Sequence, residues 1–317
     1  MIGFTIRRLL WAVPVLLISS IVVFAALKAS TDPAVVRGPG ISSEDAQRFR
    51  EDLGLDQPVH VQYLKWLGNF VQGDLGTSLK TNQEVWPALW TAMRNTIQLG
   101  FFAALVTVGV GVTIGTLSAL RHNSMFDHAA TGSSFVALSL PPFFFGLVLQ
   151  ILVGIYFRES LGDFFVISNG TRFDMWSEDR MKALVLPVLT VAVQQIAIYS
   201  RYMRSSMLDV LSADYLRTAR AKGVDEKRVI VRHGMRNALI PVVTYSAIDV
   251  GVLLGGLIIT EQVFEWHGMG WYFLNAFAEG DYFRVLPWAM IVVGAVIVFN
   301  LIADLLYGVL DPRIRHA

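Results

Sequence analysis

Long apolar stretches alternate with polar segments along this chain, and six of them are long enough to cross a membrane. A bilayer core of about 30 Å needs about 20 apolar residues as helix, because lipid cannot satisfy free backbone groups whereas a helix satisfies its own. The pattern predicts spans at about Leu9–Leu27, Thr96–Leu120, Ala129–Phe157, Ala183–Ser200, Ala238–Ile259 and Leu286–Tyr307. We therefore expect an all-α polytopic membrane protein with six transmembrane helices.

The first apolar stretch could instead be a cleaved signal peptide. Its apolar run is longer than the 7–15 residues typical of a signal core, and Lys28 interrupts the small-residue pattern of a cleavage site. We expect this helix to be retained.

Composition supports a membrane environment. Hydrophobic residues make up 54% of the 317 residues and charged residues only 16%, against about 45–50% and about 25% in ordinary soluble domains. The formal net charge of +1 gives no global field for binding nucleic acid. The chain has no cysteine, which excludes disulfides, thiolate metal sites and cysteine nucleophiles.

Charge asymmetry between the loops predicts the orientation, because Lys and Arg in short loops favour the cytoplasmic side. Few basic residues follow the fifth stretch, where Arg284 stands among four acidic residues. The loop between the fourth and fifth stretches is strongly basic, with Arg201, Arg204, Arg217, Arg220, Lys222, Lys227, Arg228, Arg232 and Arg236. Both termini and the basic loop are therefore expected in the cytoplasm.

Three regions follow from this topology: an N-terminal transmembrane helix at 1–28, an extracytoplasmic segment at 29–95, and a five-helix core at 96–317 that includes the cytoplasmic loop 201–237. The outer segment carries several apolar and aromatic residues. Turns at Asp56-Gln57-Pro58 and Gly73-Asp74-Leu75-Gly76 bound a predicted helical part. We interpret it as a small folded cap.

The cytoplasmic loop carries helix start and stop signals. Ser212 is a candidate N-cap, Asp214 lies in the first turn, and Gly223 is a C-terminal stop. A second helix is predicted from Asp225 towards Arg236. On residues alone, a solvated basic loop remains the alternative.

Ionisable and polar residues inside predicted spans are candidate sites, because they are costly there and usually face a bundle interior or water. Asp249 could line a passage, form a buried structural hydrogen bond or lie at the lipid boundary, and Asp304 is favoured as structural. Gln194 and Gln195 could bind peptide backbone groups or neighbouring helices.

Glycines and prolines in the spans predict packing and bends. Gly111 with Gly115, and Gly251 with Gly255, are small-residue pairs that let helices approach closely. Pro141-Pro142 and Pro187 are expected to kink their spans.

Enzyme motifs are absent from the sequence. No G-x-x-x-x-G-K-[ST] phosphate loop occurs, and the six histidines show no ligand spacing such as H-E-x-x-H. We expect that this chain is not an enzyme and binds no cofactor. Any process that it drives must take its energy from another subunit or from a gradient.

The residues of the basic loop resemble those of ABC importer permeases of the dipeptide and oligopeptide branch. The resemblance is carried by Asp214-Tyr215-Leu216-Arg217-Thr218-Ala219-Arg220-Ala221-Lys222-Gly223, by Leu53-Gly54-Leu55-Asp56-Gln57-Pro58, by Glu261-Gln262-Val263-Phe264 and by Asp311-Pro312-Arg313-Ile314-Arg315. It covers nearly the whole chain, and it implies that the protein lies in the inner membrane of a bacterium. The generic Glu-Ala-Ala triplet falls on Arg217, Thr218 and Ala219, so of that triplet only the last Ala is kept, and His267 stands where Pro is common.

This resemblance implies a type I importer permease fold and a coupling helix that docks on an ATPase, with the residues Asp214, Tyr215, Arg217, Thr218, Ala219, Lys222 and Gly223. It implies a translocation pathway, for which Asp249, Gln194 and Gln195 are the candidates. The implied partners are a second permease, two ATPases that bind ATP and Mg, and an extracytoplasmic peptide-binding protein. Nickel-chelate or glutathione importers, a stand-alone secondary transporter and a non-transporting assembly protein remain alternatives.

Overall fold

A computed structural model describes residues 2–30, 44, 47–48, 51, 54–157, 160, 168–253 and 257–310. The predicted all-α class is confirmed, since these residues form helices and no named strand. In chain order the helices are α1 (Ile2–Ser30), α2 (Val59–Val71), α3 (Val85–Leu120), α4 (Met125–Ser139), α5 (Pro142–Ile151), α6 (Glu178–Leu211), α7 (Asp214–Ala221), α8 (Glu226–Arg228), α9 (Met235–Leu253), α10 (Ile258–Val263), α11 (Met269–Ala278) and α12 (Tyr282–Leu310).

Within the described residues, four helices are long and apolar enough to span a membrane. The number is five if a bent pair of helices counts as one span. The long ones are α1, α3, α6 and α12, as predicted. The remaining predicted span, Ala238–Ile259, corresponds to α9, which is described only to Leu253 and does not meet the same length and apolarity. The count of six spans stays a prediction.

The third predicted span is not one straight helix. Helices α4 and α5 meet at an angle of 97°, and five residues of π-helix, Leu152–Tyr156, extend α5. Leu140 and Pro141 adopt extended backbone between the two helices. The predicted bend at Pro141-Pro142 is therefore confirmed, and it is a break between two helices and not a kink within one. Neither proline nitrogen can donate a helical hydrogen bond there.

The centre of the bundle is the contact between α3 and α6. Gly111 lies against Tyr199, where an added Cβ would stand 2.8 Å from the tyrosine Cβ. At Gly115 an added Cβ would overlap the Ser200 carbonyl and lie 2.7 Å from the Met203 Cβ. The prediction that this glycine pair lets two helices approach closely is confirmed.

The helical part predicted for the segment 29–95 is present where the structure describes it, and its place outside the membrane stays a prediction. Helix α2 begins after Pro58 and ends before a turn in which Gly73 and Gly76 have φ angles of +88° and +79°. Its Trp66 packs with Phe24 of α1 and with the start of α12. Ser20 of α1 hydrogen-bonds the Tyr63 hydroxyl at 2.8 Å.

Several predicted features lie outside the described residues. These are residues 31–43 of the outer segment, most of the loop 158–167, Gly255 of the second glycine pair and the tail from Asp311.

Candidate functional site

Helix α7 forms the predicted coupling segment, with one correction at its start. Ser212 ends α6 and its hydroxyl donates to the Asp209 carbonyl at 2.8 Å, so the N-cap position of α7 belongs to Ala213. The predicted stop is confirmed. Gly223 has φ +76°, and its N–H donates to the Arg220 carbonyl at 2.9 Å. Glycine adopts this left-handed conformation without the steric cost that other residues incur.

One face of α7 is attached to the body of the protein. Leu216 is fully buried, close to Gly234 and Met207. The Asn237 side chain donates to the Tyr215 hydroxyl at 2.8 Å. These contacts fix the orientation of α7 relative to α6 and α9.

The connection that follows α7 is held by an ion pair. The Arg220 guanidinium donates two hydrogen bonds to the Glu226 carboxylate, at 2.9 and 3.0 Å. That hydrogen bonding lowers the pKa of Glu226.

The other face of α7 is exposed to solvent. Of the seven predicted coupling residues, only Ala219 is half-buried; the exposed ones are Asp214, Tyr215, Arg217, Thr218, Lys222 and Gly223. A weak ion pair of 3.6 Å joins Arg217 to Asp214 on this surface. The structure therefore places these side chains on one accessible surface.

The predicted second helix begins where expected, with Asp225 at the N-cap position of α8. A π-helical stretch, Val229–Gly234, then joins α8 to α9 without a loop. No residue pattern predicted this wider turn, and π-helical turns are frequent at functional sites.

A polar cluster lies between α6 and α9 and contains two of the three predicted pathway residues. The Gln195 amide donates to Asp249 Oδ2 at 2.6 Å, and the Tyr199 hydroxyl approaches the same oxygen at 3.2 Å. Asp249 is only partly buried. Asp249 thus forms a hydrogen bond between two helices, which was one of the alternatives for this residue. Its role in lining the passage stays a prediction.

Gln194 does not join this cluster. Its amide nitrogen donates to the Leu140 carbonyl, at the bend between α4 and α5. This carbonyl lies outside regular helix, and Gln194 supplies it with a partner. Gln194 therefore packs against a neighbouring segment, which was the alternative to binding peptide.

Sequence reasoning missed three tyrosines around the cluster. Tyr245 packs edge-on against Tyr199 and tilted against Tyr202, with ring centroids 5.3 and 5.2 Å apart. Tyr199 stands four residues after Gln195, and Tyr245 four before Asp249. Spacing of four residues places side chains on one helix face, and this signal could have found them.

A buried polar network in the N-terminal parts of α3 and α6 was also missed. Arg180, 3% exposed, donates to Asn95 Oδ1 at 2.6 Å and to Gln98 Oε1 at 2.7 Å, and its guanidinium lies over the Trp266 ring. The Trp266 indole N–H donates to the Asn95 carbonyl. The signal available in the sequence was the polar run Asn95, Thr96 and Gln98 at the start of an apolar stretch.

Glu261 lies fully buried beside this network. It accepts a hydrogen bond of 2.6 Å from the Thr96 hydroxyl and bonds of 2.8 and 3.0 Å from the Gly270 and Trp271 backbone N–H groups. Its two backbone donors belong to the first turn of α11, where the helix dipole favours an anion. Glu261 thereby ties α10 and α11 to α3.

Asp304, the second acid predicted in a span, forms an ion pair of 3.0 Å with Arg8 of α1. This contact attaches the N-terminal helix to α12 and agrees with the structural interpretation of Asp304.

Two protein-family models match this chain. Residues 111–316 match the family model "Binding-protein-dependent transport system inner membrane component", and residues 1–100 match the corresponding N-terminal model. This chain belongs to that family. It is a multi-pass inner membrane protein with the type I permease fold of these transport systems.

Relatives of the family match along their full lengths. The oligopeptide transport system permease protein AppB of Bacillus subtilis (strain 168) is 40% identical, with 100% of both chains covered. The dipeptide transport system permease protein DppB of Escherichia coli (strain K12) is 35% identical, with 100% of this chain and 99% of the relative covered. The di/tripeptide permease DppB of Pseudomonas aeruginosa (strain UCBPP-PA14) is also 35% identical.

Proposed function

We propose that this chain is one permease subunit of an ABC importer that moves peptides into the bacterial cytoplasm. The observation that carries the proposal is the exposed surface of α7, held in a fixed orientation at the end of α6. Peptides are proposed as substrates because the relatives that match over the full length carry peptide transport in their names. A nickel-chelate or glutathione importer is the nearest alternative.

The proposed assembly contains a homologous second permease, two cytoplasmic ATPases and an extracytoplasmic peptide-binding protein. ATP and Mg are bound by the ATPases, which have the catalytic role that this chain lacks. Both termini and α7 are placed in the cytoplasm, and α2 outside, by the excess of Lys and Arg in the loop 201–237.

Transport is proposed to proceed by alternating access. Closure of the ATPases on ATP displaces α7, and α6 carries that displacement to α3 through their glycine contact. The core bundle then turns from an inward-facing to an outward-facing state and receives peptide from the binding protein. Coupling of this kind requires one element with two states that both sites influence, and the α3–α6 pair has the required position.

Peptide uptake by vesicles that contain all the subunits tests the function. We expect uptake only with ATP and both ATPases. Uptake without the ATPases would support a secondary transporter, and no uptake in any combination would support an assembly protein.

Two substitutions in α7 test the coupling role. Gly223→Pro removes an N–H donor and forbids φ +76°, and Ala219→Asp places a charge at the half-buried position of α7. Both should lower ATP-dependent uptake at least tenfold while the protein still inserts. Lys227→Gln is the control, because it lowers the net charge by one, as Ala219→Asp does, at an exposed position outside the predicted coupling residues. This variant should transport normally. Normal transport by both α7 variants would contradict the assignment.

A further inference from the structure

A cavity of about 600 Å³ opens between α4 and α6, and the coupling mechanism proposed above does not use it. We call it the Arg201 cavity. Its lining residues are Thr131 and Phe135 of α4 and Ile198, Arg201, Tyr202, Arg204 and Ser205 of α6. It thus combines two guanidinium groups and three hydroxyls with the apolar side chains of Phe135 and Ile198, and this lining suits a ligand that has both a charged group and an apolar part.

The two arginines of the cavity differ in their charge balance. Arg204 donates two hydrogen bonds, of 2.6 and 2.7 Å, to Asp127, which is 2% exposed. That pair is neutral. Arg201 instead lies over the Phe135 ring, 5.1 Å from its centroid, and no carboxylate in the described ranges of the chain lies within ion-pair distance of it. One positive charge therefore remains for a ligand, so the cavity favours an anion.

The geometry of Arg201 suits a carboxylate. A guanidinium is planar and can bind both oxygens of a carboxylate at once, and stacking on an aromatic ring holds its plane in one orientation. The hydroxyls of Thr131, Tyr202 and Ser205 stand around it as further donors.

The cavity adjoins the polar cluster of Asp249. Tyr202 belongs to the cavity and packs on Tyr245, which lies one turn before Asp249 on α9. Along α6, Gln195, the partner of Asp249, and Arg201 are six residues apart, which is a rise of about 9 Å. An extended peptide covers about 3.3–3.6 Å per residue, so two or three residues span that distance.

We propose that the Arg201 cavity binds the C-terminal carboxylate of a peptide on its way through the membrane, with the peptide extending towards Asp249. This inference rests on the proposed peptide transport. An anionic lipid headgroup offers a similar oxyanion. The peptide is favoured because Tyr202 and Tyr245 connect the cation of the cavity to the cluster of Asp249, and a free peptide carries opposite charges at its two ends.

The test compares one peptide with a free carboxyl terminus and the same peptide as its C-terminal amide, in vesicles containing the complete complex. Arg201→Gln should lower uptake of the free-acid peptide about tenfold and leave uptake of the amide unchanged. Any preference of the binding protein cancels, because it is the same for both variants. Arg201→Lys keeps the charge and loses the bidentate geometry. Its uptake of the free-acid peptide should lie between that of wild type and that of Arg201→Gln.

Arg121→Gln is the matched control, since Arg121 lies over the Phe126 ring at 5.8 Å and outside the cavity. It should leave the ratio of acid to amide uptake at the wild-type value. An unchanged ratio in Arg201→Gln would overturn the proposal.

The same measurements in vesicles with and without phosphatidylglycerol distinguish a lipid site. A defect of Arg201→Gln that follows the anionic lipid and is equal for both peptides would overturn the peptide site. If the wild-type complex takes up neither peptide, the proposed function fails, and equilibrium binding of the two labelled peptides to the solubilised complex then decides the carboxylate site. Equal binding of acid and amide by wild type and Arg201→Gln would reject it.

Discussion

Glu261 is a fully buried carboxylate that is held by hydrogen-bond donors, and no cation in the described part of the chain forms an ion pair with it. Glu261→Ala leaves the Thr96 hydroxyl and two backbone N–H groups without their acceptor. Unsatisfied buried polar groups cost about 1–3 kcal/mol each, so for these three donors we expect a loss of at least about 3 kcal/mol in stability. Glu261→Gln keeps the shape and one acceptor oxygen and should lose less. Melting temperatures of the detergent-solubilised protein measure both, and equal losses would contradict this account.

The same residue predicts a dependence on pH. Burial raises the pKa of the Glu261 carboxyl above its ordinary value of 4.5, and this effect is larger than the lowering by its hydrogen bonds. The folded protein therefore binds the proton more tightly than the unfolded chain does. Above pH 4.5, stability due to Glu261 should fall as the pH rises through the raised pKa. The difference in melting temperature between wild type and Glu261→Gln should shift in favour of wild type at acidic pH.

Individual site residues were only partly predictable. Asp249 and Gln195 could be singled out because polar groups in apolar stretches are rare, and they do meet. Gln194 could not be separated from Gln195, since its partner is a carbonyl created by the bend at Leu140. Ser212 has the chemistry of an N-cap, but α6 continues through its position and Ala213 takes that place.

At the scale of elements, the contact between α3 and α6 is testable at its glycines. Gly115→Ala forces a Cβ into the Ser200 carbonyl and the Met203 side chain, so the helices must separate. Overpacking of this kind costs about 1–3 kcal/mol, and uptake should fall with it. Gly109→Ala, on the same helix with nothing within 4 Å of the added Cβ, is the control and should be neutral or stabilising. Equal behaviour of the two variants in melting and uptake would contradict the close packing.

The elements themselves were predictable where apolar length decides them. Helices α1, α3, α6 and α12 follow from hydropathy. Their ends do not, because α3 begins at Val85 and α6 continues to Leu211, so both helices extend beyond their apolar stretches. The 97° angle between α4 and α5 depends on how the two helices pack on α6, which two prolines alone do not determine.

At the scale of the molecule, the absence of cysteine makes the proposed orientation testable. A single cysteine at Thr81, exposed in the outer turn before α3, should react with an impermeant maleimide in intact cells. A single cysteine at Lys227, exposed beyond α7, should react only after the membrane is permeabilised. The opposite pattern would reverse the topology and remove α7 from the cytoplasm.

The α3–α6 contact has a mechanical consequence. With 34 residues, α6 is about 51 Å long. Its contact with Gly115 of α3 is at Ser200, about 16 Å from Leu211 and about 30 Å from Arg180. On the α3 side of this contact, glycine has no side chain that could absorb movement. If α6 pivots at that point, it is a lever with unequal arms, and a small displacement at its Leu211 end becomes one about twice as large at its Glu178 end.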